Sequence, residues 1–317
     1  MLYRVLISSR AFGPHCPEAV QRLREADCEV IPNELGRGFT EQEILERIRD
    51  VDALIAGTEP LTARVLEVAN RLKVIARHGV GFENVDLAAA RARGIPVALA
   101  SGTITDSVAD MAMALLLALA RRIPQGDASV RQGQWKNIVG VELRGKTLGI
   151  VGLGQIGKEV CHRAQGFGMS VVAYDLYQDE HFARSWGVRY LPLEELLATA
   201  DFVSLHASVT AQARHLINAD SLARMKAGAY LINTARGELV DEEALAQALR
   251  EGRLGGAASD VFVKEPPSEN PLLALDNFIA APHSAGQTHE GLRRMGEVTV
   301  ENVLRVLAGQ PPLFQIT

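Results

Sequence analysis

The 317-residue sequence is short of several features that mark special classes of protein. It has three cysteines, Cys16, Cys28 and Cys161, too few and too widely spaced for a disulfide framework or a metal cage. Its 33 Lys and Arg residues are outnumbered by 38 Asp and Glu residues. No excess of positive charge is therefore available to neutralise the phosphates of a nucleic acid. We expect no bound metal and no nucleic-acid partner.

Long apolar runs are also missing. The longest, at 108–120, has 13 residues and contains Asp110, whereas a membrane span needs about 20. The first seven residues lead directly into a strand-like run and lack the layout of a signal peptide. These observations predict a cytoplasmic protein with no membrane partner.

What the chain does have is the composition of an ordinary globular protein, with 47% hydrophobic and 22% charged residues. Its length fits two domains. Short apolar runs alternate with helical stretches, which is typical of parallel sheets covered by helices. The predicted strands are 5–8, 28–31, 53–56, 74–76 and 97–98 in a first series, and 147–151, 171–174, 202–205, 230–233, 257–259 and 278–280 in a second. We expect two α/β domains with boundaries near residues 100 and 285.

The segment 108–120 predicts a helix that is apolar on nearly every side. Thr105, Asp106 and Ser107 precede it and offer caps for its first turn. A helix of this kind has to be buried all round. It is equally well explained as an interdomain or subunit-interface helix and as a plain core helix.

A glycine-rich motif follows the first strand of the second series. Gly152, Gly154 and Gly157 form G-x-G-x-x-G at the start of a predicted helix. The first glycine permits a tight turn, the second lets the backbone approach a pyrophosphate, and the third lets helix and strand pack closely. The helix N-terminus then offers N–H groups to the phosphates. The motif predicts a dinucleotide cofactor.

An acidic residue supports this interpretation. Asp175 ends the next predicted strand, 18 residues after Gly157, close to the spacing expected of the ligand of the ribose hydroxyls. It would repel a 2′-phosphate, and neither Leu176 nor Tyr177 supplies a cation. NAD is therefore favoured over NADP. The alternative is that Asp175 only caps a turn.

Three reactive side chains follow later predicted strands, where ligands of open α/β sheets bind. Arg236 offers a planar fork for a carboxylate or carbonyl oxygen. His283 is suited to exchange a proton, and Glu265 to orient that histidine and stabilise its protonated form. Together they meet the needs of hydride transfer to a 2-oxo acid. Taken singly, each is more simply explained as a surface ion pair or a turn residue.

Several motifs, taken together along the chain, resemble those of one known enzyme family. They are the glycine motif with Asp175, the segments 233–237, 259–265 and 282–286, and 79–86 in the first domain. With these the chain resembles the D-isomer-specific 2-hydroxyacid dehydrogenases, in the branch of the phosphoglycerate dehydrogenases. The resemblance implies that His283 is the general acid/base, Glu265 its partner, and Arg236 the group that binds and polarises the substrate. It implies that Asp260 holds the nicotinamide end of the cofactor.

The resemblance also implies the architecture and the remaining contacts. A Rossmann NAD-binding domain, 101–285, would be inserted into a flavodoxin-like substrate domain, 1–100 plus 286–317, both doubly wound with parallel sheets. Two chains would form a homodimer through 108–121. The substrate, a small 2-oxo or 2-hydroxy acid, would contact His78, Gly79, Val80, Gly81, Arg236 and His283. The predicted cofactor contacts are Ser107, Gly152, Gly154, Gln155, Ile156, Gly157, Asp175, His206, Thr234, Ala235, Asp260, His283 and Gly286. For His206 a role in the core is an equal alternative.

One segment departs from the branch. Phosphoglycerate dehydrogenases carry an Arg-Ser pair after the third strand that grips the phosphate, whereas 56–60 here reads Ala-Gly-Thr-Glu-Pro. The added anion, Glu59, disfavours a phosphorylated substrate by Coulomb repulsion. Arg10 and Arg77 are available to compensate. Glyoxylate, hydroxypyruvate, a longer 2-oxo acid and phosphohydroxypyruvate all stay open.

The alternative functions are phosphoglycerate dehydrogenase proper and, from another class, an NAD-sensing binding protein like some transcriptional corepressors. A corepressor role would call for exposed peptide-binding grooves and disordered tails, which the sequence does not indicate. Oxidation of phosphite or formate on the same fold is a further rival. Consumption of NADH that depends on a 2-oxo acid discriminates among them.

Overall fold

The chain folds into two units in the computed structural model, which describes residues 2–317. Unit 1 comprises the residues up to Ile104 together with Gln287–Thr317, and unit 2 comprises Thr105–Gly286. Each unit contains one sheet in which every strand pair is parallel. The predicted α/β class with two parallel sheets is therefore confirmed. The division of roles, one domain for the substrate and the other for the cofactor, stays a prediction.

Eleven of the strands within residues 2–317 follow the predicted apolar runs closely, and β8, of two residues, was not predicted. They are β1 (Tyr3–Ile7), β2 (Cys28–Ile31), β3 (Ala53–Ala56), β4 (Val74–Arg77), β5 (Val97–Ala98), β6 (Thr147–Val151), β7 (Ser170–Tyr174), β8 (Arg189–Tyr190), β9 (Phe202–Leu205), β10 (Tyr230–Asn233), β11 (Gly256–Ser259) and β12 (Phe278–Ala280). Most are buried along their length, as expected of strands covered on both faces.

The helices connect these strands. They are α1 (Pro17–Glu25), α2 (Glu41–Arg47), α3 (Ala63–Glu67), α4 (Leu87–Ala92), α5 (Thr105–Arg121), α6 (Ile123–Arg131), α7 (Gln155–Gly166), α8 (Glu180–Ser185), α9 (Leu193–Thr199), α10 (Ala219–Arg224), α11 (Glu242–Arg250) and α12 (His289–Leu307). Two short 3-10 helices, Gly237–Leu239 and Pro271–Ala274, complete the elements that follow β10 and β11.

Unit 1 has the strand order β2-β1-β3-β4-β5. This is the flavodoxin-like order, and its topological switch point, where the connections diverge, lies between β1 and β3. A capping box at Thr40 and Glu43 begins α2, and Asp86 caps α4. Helix α12 returns to this sheet and buries Val300 and Val303 in the same core as β1 and β4.

Unit 2 has the strand order β12-β11-β10-β9-β6-β7-β8. Its switch point lies between β6 and β9, since chain connections run outward from there in both directions. One face of the sheet packs on α5 and α7 and the other on α9, α10 and α11. The glycine motif begins directly after β6, at this switch point.

Helix α5 corrects two details of the sequence interpretation. Thr105, Asp106 and Ser107 lie inside its first turn and do not precede it as caps. The helix is also not buried all round, because Asp110, Ala114 and Arg121 are exposed. Asp106 and Asp110 bind Arg163 of α7, at 3.1 Å and 2.6 Å. The opposite face, including Leu116 and Leu119, belongs to the core of unit 2.

Two further observations concern membrane-spanning helices and the cysteines. No helix within residues 2–317 is both long and apolar enough to cross a membrane. Cys16, Cys28 and Cys161 are buried free thiols, and burial raises the pKa of Cys161 to about 11.

Candidate active site

The carboxyl ends of six strands form one edge of the unit 2 sheet. The last residues of these strands are register partners of one another, in the order Tyr174, Val151, Leu205, Asn233, Ser259 and Ala280. The residue after each strand therefore emerges at the same edge. Ligands of open α/β sheets bind at this edge, beside the switch point. Most of the predicted cofactor contacts lie there.

The glycine motif has the geometry that a pyrophosphate needs. Gly152 has φ 96°, and a Cβ there would lie 2.6 Å from the amide nitrogen of Ala207. A Cβ on Gly157 would lie 2.2 Å from the carbonyl oxygen of Gly152, so only glycine lets α7 approach β6 this closely. Around Gly154 the space is open, and α7 begins at the next residue, Gln155. Ile156 follows in its first turn. The residues present fit a dinucleotide.

Asp175 joins the end of β7 to this loop. One carboxylate oxygen accepts from the N–H of Leu153 at 2.7 Å, and the other accepts from the N–H of Tyr177 at 2.9 Å. The turn-capping role considered from the sequence is therefore real. Both oxygens have further lone pairs for the hydroxyls of a ribose, so that role stays a prediction.

Two polar atoms at the same edge lack a partner within residues 2–317. The Nε2 atom of His206 lies 2.8 Å from the hydroxyl of Ser204, whereas its Nδ1 atom is buried and unpartnered. The hydroxyl of Thr234 is likewise buried and has no hydrogen-bond partner within residues 2–317. Burial lowers the pKa of His206 to about 4, so its ring is neutral at physiological pH. Buried polar atoms without a partner are costly, and a bound polar ligand would relieve both.

Glu265 and His283 are in direct contact. The Nδ1 atom of His283 lies 2.8 Å from a carboxylate oxygen of Glu265, and the other oxygen of Glu265 accepts from the N–H of Phe262 at 3.0 Å. The two side chains are 54% and 37% exposed, so a small molecule can reach the imidazole. His283 has φ 53°, a left-handed conformation that is uncommon for a residue with a side chain and is found often at functional sites.

Asp260 holds the backbone of the loop that carries His283. Its two carboxylate oxygens accept from the N–H groups of Ser284 at 2.8 Å and Ala285 at 2.7 Å, and its carbonyl accepts from the N–H of His283 at 2.8 Å. Asp260 is only 1% exposed. The structure thus shows an anchor for the left-handed conformation of His283. The predicted contact of Asp260 with the nicotinamide stays a prediction.

Arg236 follows β10 and is fixed by its neighbours. The side chain of Asn233 accepts from the N–H of Ala235 at 3.0 Å and donates to the carbonyl of Arg236 at 2.8 Å. A Cβ on Gly237 would lie 2.1 Å from the carbonyl carbon of Phe262, so the segment after β10 packs tightly on the segment after β11. Arg236 and Glu265 are thereby brought to neighbouring strand ends. Sequence reasoning did not assign Asn233 a role, although its place at a strand end was visible.

The predicted contacts Ser107 and Gly286 lie at the two ends of unit 2. Ser107 is buried in the first turn of α5 and Gly286 is the last residue of the unit. Their contacts with the cofactor stay predictions.

The predicted substrate contacts His78, Gly79, Val80 and Gly81 follow β4 in unit 1. The Nε atom of Arg77 donates to the carbonyl of Gly81 at 2.9 Å, and the N–H of Ala100 donates to the carbonyl of Gly79 at 3.0 Å. The loop is thus held by its own strand and the segment after β5. It lies at the carboxyl edge of its sheet.

His78 is buried beside this loop. Its Nδ1 atom lies 3.1 Å from the hydroxyl of Ser9, and its ring packs edge-on against Phe12. Burial, together with the charges of Arg77 and His15, lowers the pKa of His78 to about 4. The histidine is therefore neutral in the folded chain at physiological pH.

We expect His78 to make the chain less stable in mild acid. The unfolded chain takes up a proton on this histidine near pH 6.5 while the folded chain resists until about 4. Above pH 6.5 the neutral His78 therefore costs the folded chain no stability. As the pH falls from 6.5 toward 4, the free energy of unfolding decreases. At pH 5 the loss is about 2 kcal/mol. Urea unfolding at pH 7.5 and pH 5 would show a smaller pH-dependent loss in His78→Gln than in the unsubstituted chain.

The control for this measurement is His289→Gln, because His289 is exposed in the same unit. It should leave the pH dependence unchanged. An equal loss at pH 5 in His78→Gln and the unsubstituted chain would show that His78 is not responsible.

Comparison with known proteins agrees with this geometry. Residues 113–285 match the family model described as D-isomer specific 2-hydroxyacid dehydrogenase, NAD binding domain. The chain is 45% identical over 277 residues to a glyoxylate reductase of Korarchaeum cryptofilum, which covers 85% of this chain and 83% of that protein. It is also 45% identical over 287 residues to a D-3-phosphoglycerate dehydrogenase of Methanocaldococcus jannaschii, covering 89% of this chain.

The chain spans only 55% of the length of that phosphoglycerate dehydrogenase. Among solved structures, the TT0316 protein from Thermus thermophilus has a TM-score of 0.90 at 42% identity. The match covers 99% of this chain and 100% of that one. A likeness of this extent includes both units.

The chain belongs to the D-isomer specific 2-hydroxyacid dehydrogenase family. It is an enzyme of the oxidoreductase class that acts on 2-hydroxy acids, and its cofactor is NAD. The family, the fold class and the cofactor predicted from the sequence are confirmed.

Proposed function

We propose that this enzyme reduces a short 2-oxo acid of the glyoxylate or hydroxypyruvate kind to the 2-hydroxy acid, with His283 as the proton donor. When bound, NADH supplies the hydride for the carbonyl carbon. The Gly152–Gly157 loop with Asp175 would hold the cofactor, and His206, Thr234 and Asp260 would hold it further along the same sheet edge. The observation that carries the proposal is the contact of 2.8 Å between His283 and Glu265 at that edge.

His283 and Glu265 divide the proton chemistry between them. Because Nδ1 of His283 faces the carboxylate, the other ring nitrogen is left to serve the substrate. Glu265 would fix the orientation of the ring through this hydrogen bond. The protonated imidazole then donates to the oxygen that becomes the hydroxyl, a contribution of about 10²–10⁴-fold in rate.

In unit 2, Arg236 would bind the substrate carboxylate, and in unit 1 the loop of Gly79, Val80 and Gly81 is the substrate contact that we propose. The guanidinium offers paired N–H groups that match a carboxylate and polarise the neighbouring carbonyl. Backbone N–H groups of the loop would add neutral donors. Two contacts support this role for Arg236: Asn233 fixes the backbone at its position, and its own Nη1 atom donates to the carbonyl of Ala235 at 2.8 Å.

Steady-state assays with a panel of acids test the proposal. Glyoxylate, hydroxypyruvate, a longer 2-oxo acid and phosphohydroxypyruvate would each be offered with NADH and with NADPH. We expect the first two to be reduced with the higher kcat/KM, and NADH to be the better donor because Asp175 repels a 2′-phosphate. Failure of all four acids to oxidise NADH would contradict the proposed reaction.

Glu265→Gln should lower kcat for 2-oxo acid reduction. A neutral amide makes a weaker hydrogen bond than the carboxylate that lies 2.8 Å from Nδ1 of His283, so the ring is held less firmly in its orientation. The measurement is kcat and KM for glyoxylate. Glu269→Gln is the matched control, since Glu269 is exposed on the same loop. A kcat in Glu265→Gln equal to that of the control would remove Glu265 from this role.

The phosphoglycerate dehydrogenase alternative draws on the Methanocaldococcus jannaschii relative. We give it second place, because the Arg-Ser pair of that branch is missing at 56–60. Phosphohydroxypyruvate in the acid panel tests it directly.

We further propose a cytoplasmic homodimer. Buried free thiols suit a reducing compartment. In unit 2, α5 is followed by apolar side chains that the chain itself leaves exposed: Ile123 at 58%, Val130 at 58%, Trp135 at 93% and Val139 at 76%. Large apolar side chains exposed at several positions of one segment support a subunit interface there. Light scattering should give twice the chain mass, and a monomer at micromolar concentration would contradict the proposal.

A further inference from the structure

A buried carboxylate lies at the switch point of the unit 1 sheet. Glu59 follows β3 and is only 1% exposed. The hydroxyl of Ser8, at the end of β1, donates to one of its oxygens, and the N–H of Gly57 lies 3.1 Å from both oxygens. Donors on both oxygens suit an ionised carboxylate. The sequence placed Glu59 in a loop, and the structure places it between β1 and β3, where ligands of this strand order bind.

The next strand brings a cation to the same edge. Arg77 ends β4, is only 6% exposed and directs Nε to the carbonyl of Gly81, 2.9 Å away. Its Nη1 atom is buried without a partner within residues 2–317, as is Nε2 of His78. Two unpartnered buried donors or acceptors beside the loop that follows β4 indicate a place for a small polar group.

The charges at this edge sum to about zero. Burial lowers the pKa of Arg77, and the Glu59 and Glu83 carboxylates act in the opposite direction. Arginine nevertheless keeps its charge in proteins. His78 is neutral, as its pKa of about 4 requires. Arg10 also follows β1, but it is exposed and its field is screened by water.

We propose that Glu59 is a specificity-determining residue: by offsetting the charge of Arg77, it makes this edge of unit 1 accept a 2-oxo acid with an uncharged polar substituent and reject one with a phosphate. The inference rests on the proposed function, because it concerns the substituent of an acid held at the Gly79, Val80 and Gly81 loop. At 1% exposure Glu59 acts through its field on that substituent and does not touch it. The unpartnered atoms of Arg77 and His78 would bind a hydroxyl.

The backbone beside Glu59 also removes a phosphate ligand. A Cβ on Gly57 would lie 2.8 Å from Cα of Ser9 and 3.0 Å from a carboxylate oxygen of Glu59. A serine therefore has no room at this position. The carboxylate thus opposes a phosphate by charge, and its packing prevents the segment from offering a hydroxyl side chain there.

The substitution Glu59→Gln tests the effect of the Glu59 charge separately from that of its size. The amide keeps the size of the side chain and removes its charge. We expect the ratio of kcat/KM for 3-phosphohydroxypyruvate to that for hydroxypyruvate to rise roughly ten-fold. The change should come from KM for the phosphorylated acid, with kcat for hydroxypyruvate within about two-fold of the unsubstituted enzyme. A residue with only a structural role would lower both activities together.

Glu34→Gln is the matched control. It removes the same charge from an exposed side chain that follows β2 of unit 1, where water screens the field. In this control the ratio of kcat/KM for 3-phosphohydroxypyruvate to that for hydroxypyruvate should change by less than about two-fold. If folded Glu59→Gln leaves the ratio unchanged while both acids are reduced, the inference is overturned and the proposed function stands. If the unsubstituted enzyme reduces none of hydroxypyruvate, 3-phosphohydroxypyruvate and glyoxylate, the inference and the proposed function are both overturned.

A second measurement needs no substitution, in case Glu59→Gln does not fold. Glycerate and 3-phosphoglycerate are compared as inhibitors of glyoxylate reduction by the unsubstituted enzyme. We expect glycerate to inhibit at the lower concentration, by about ten-fold or more. Equal or stronger inhibition by 3-phosphoglycerate would overturn the inference, because the buried carboxylate would then exert no selection.

Discussion

His283→Ala should reduce turnover of a 2-oxo acid by about 10²–10⁴-fold while the affinity for NADH changes little. The substitution removes the proposed proton donor and leaves the glycine loop, Asp175 and the anchoring carboxylate of Asp260 in place. The two readouts are kcat with glyoxylate and an NADH fluorescence titration. The effect is expected on kcat because the proton is needed as the carbonyl carbon is reduced.

The matched control is His289→Ala, which removes an exposed imidazole six residues further along the chain. It should retain full turnover. A His283→Ala enzyme that turns over like this control would exclude His283 as the proton donor. A loss of NADH affinity equal to the loss of turnover would indicate instead that the loop, and not the proton, had been disturbed.

Gly157→Ala should weaken NADH binding by roughly ten- to hundred-fold, because an overpacked contact costs about 1–3 kcal/mol. The new Cβ would lie 2.2 Å from the carbonyl oxygen of Gly152 and 3.1 Å from Cγ2 of Ile150. Since both belong to the strand and loop at the switch point, α7 has to move away from β6. The N–H groups at its first turn would then leave their predicted place beside the pyrophosphate.

Gly166→Ala is the control within the same helix. Gly166 is the last residue of α7, and a Cβ there meets nothing within 4 Å. Because alanine is the better helix former by about 1 kcal/mol, this variant should be as stable as the unsubstituted chain or more so, with unchanged NADH affinity. If Gly157→Ala also binds NADH normally, close approach of helix and strand is not what the cofactor requires.

The strands and the contact between Glu265 and His283 could be predicted because their signals are local. Runs such as 202–205 and 230–233 are apolar, bounded by polar residues, and recur at the spacing of βα units. Parallel strands end at a common edge, so residues after separate strands, such as Glu265 and His283, can be expected to meet. Short helices give no such signal. Helix α3 has five residues and α4 has six, too few to show a helical period.

Burial and long-range partners could not be predicted in the same way. Glu59 and Ser8 are 51 residues apart, and nothing near either one shows that their side chains meet. An acidic residue between a threonine and a proline predicts a solvated turn, whereas β1 and β3 enclose it. The unpartnered hydroxyl of Thr234 likewise depends on how neighbouring strands pack. The anchoring of Ser284 and Ala285 by Asp260 depends on the pairing of β11 with β12.

The in-register strand ends of unit 2 limit how this enzyme can vary. Loops at the amino ends of the strands can lengthen or shorten without consequence for the reacting groups. A single residue inserted within β10 would advance Arg236 by about 3.3 Å and turn alternate side chains to the opposite face of the sheet. We therefore expect insertions and deletions to be confined to loops at the amino ends of the strands. The number of residues between the end of each strand and its functional residue should stay fixed.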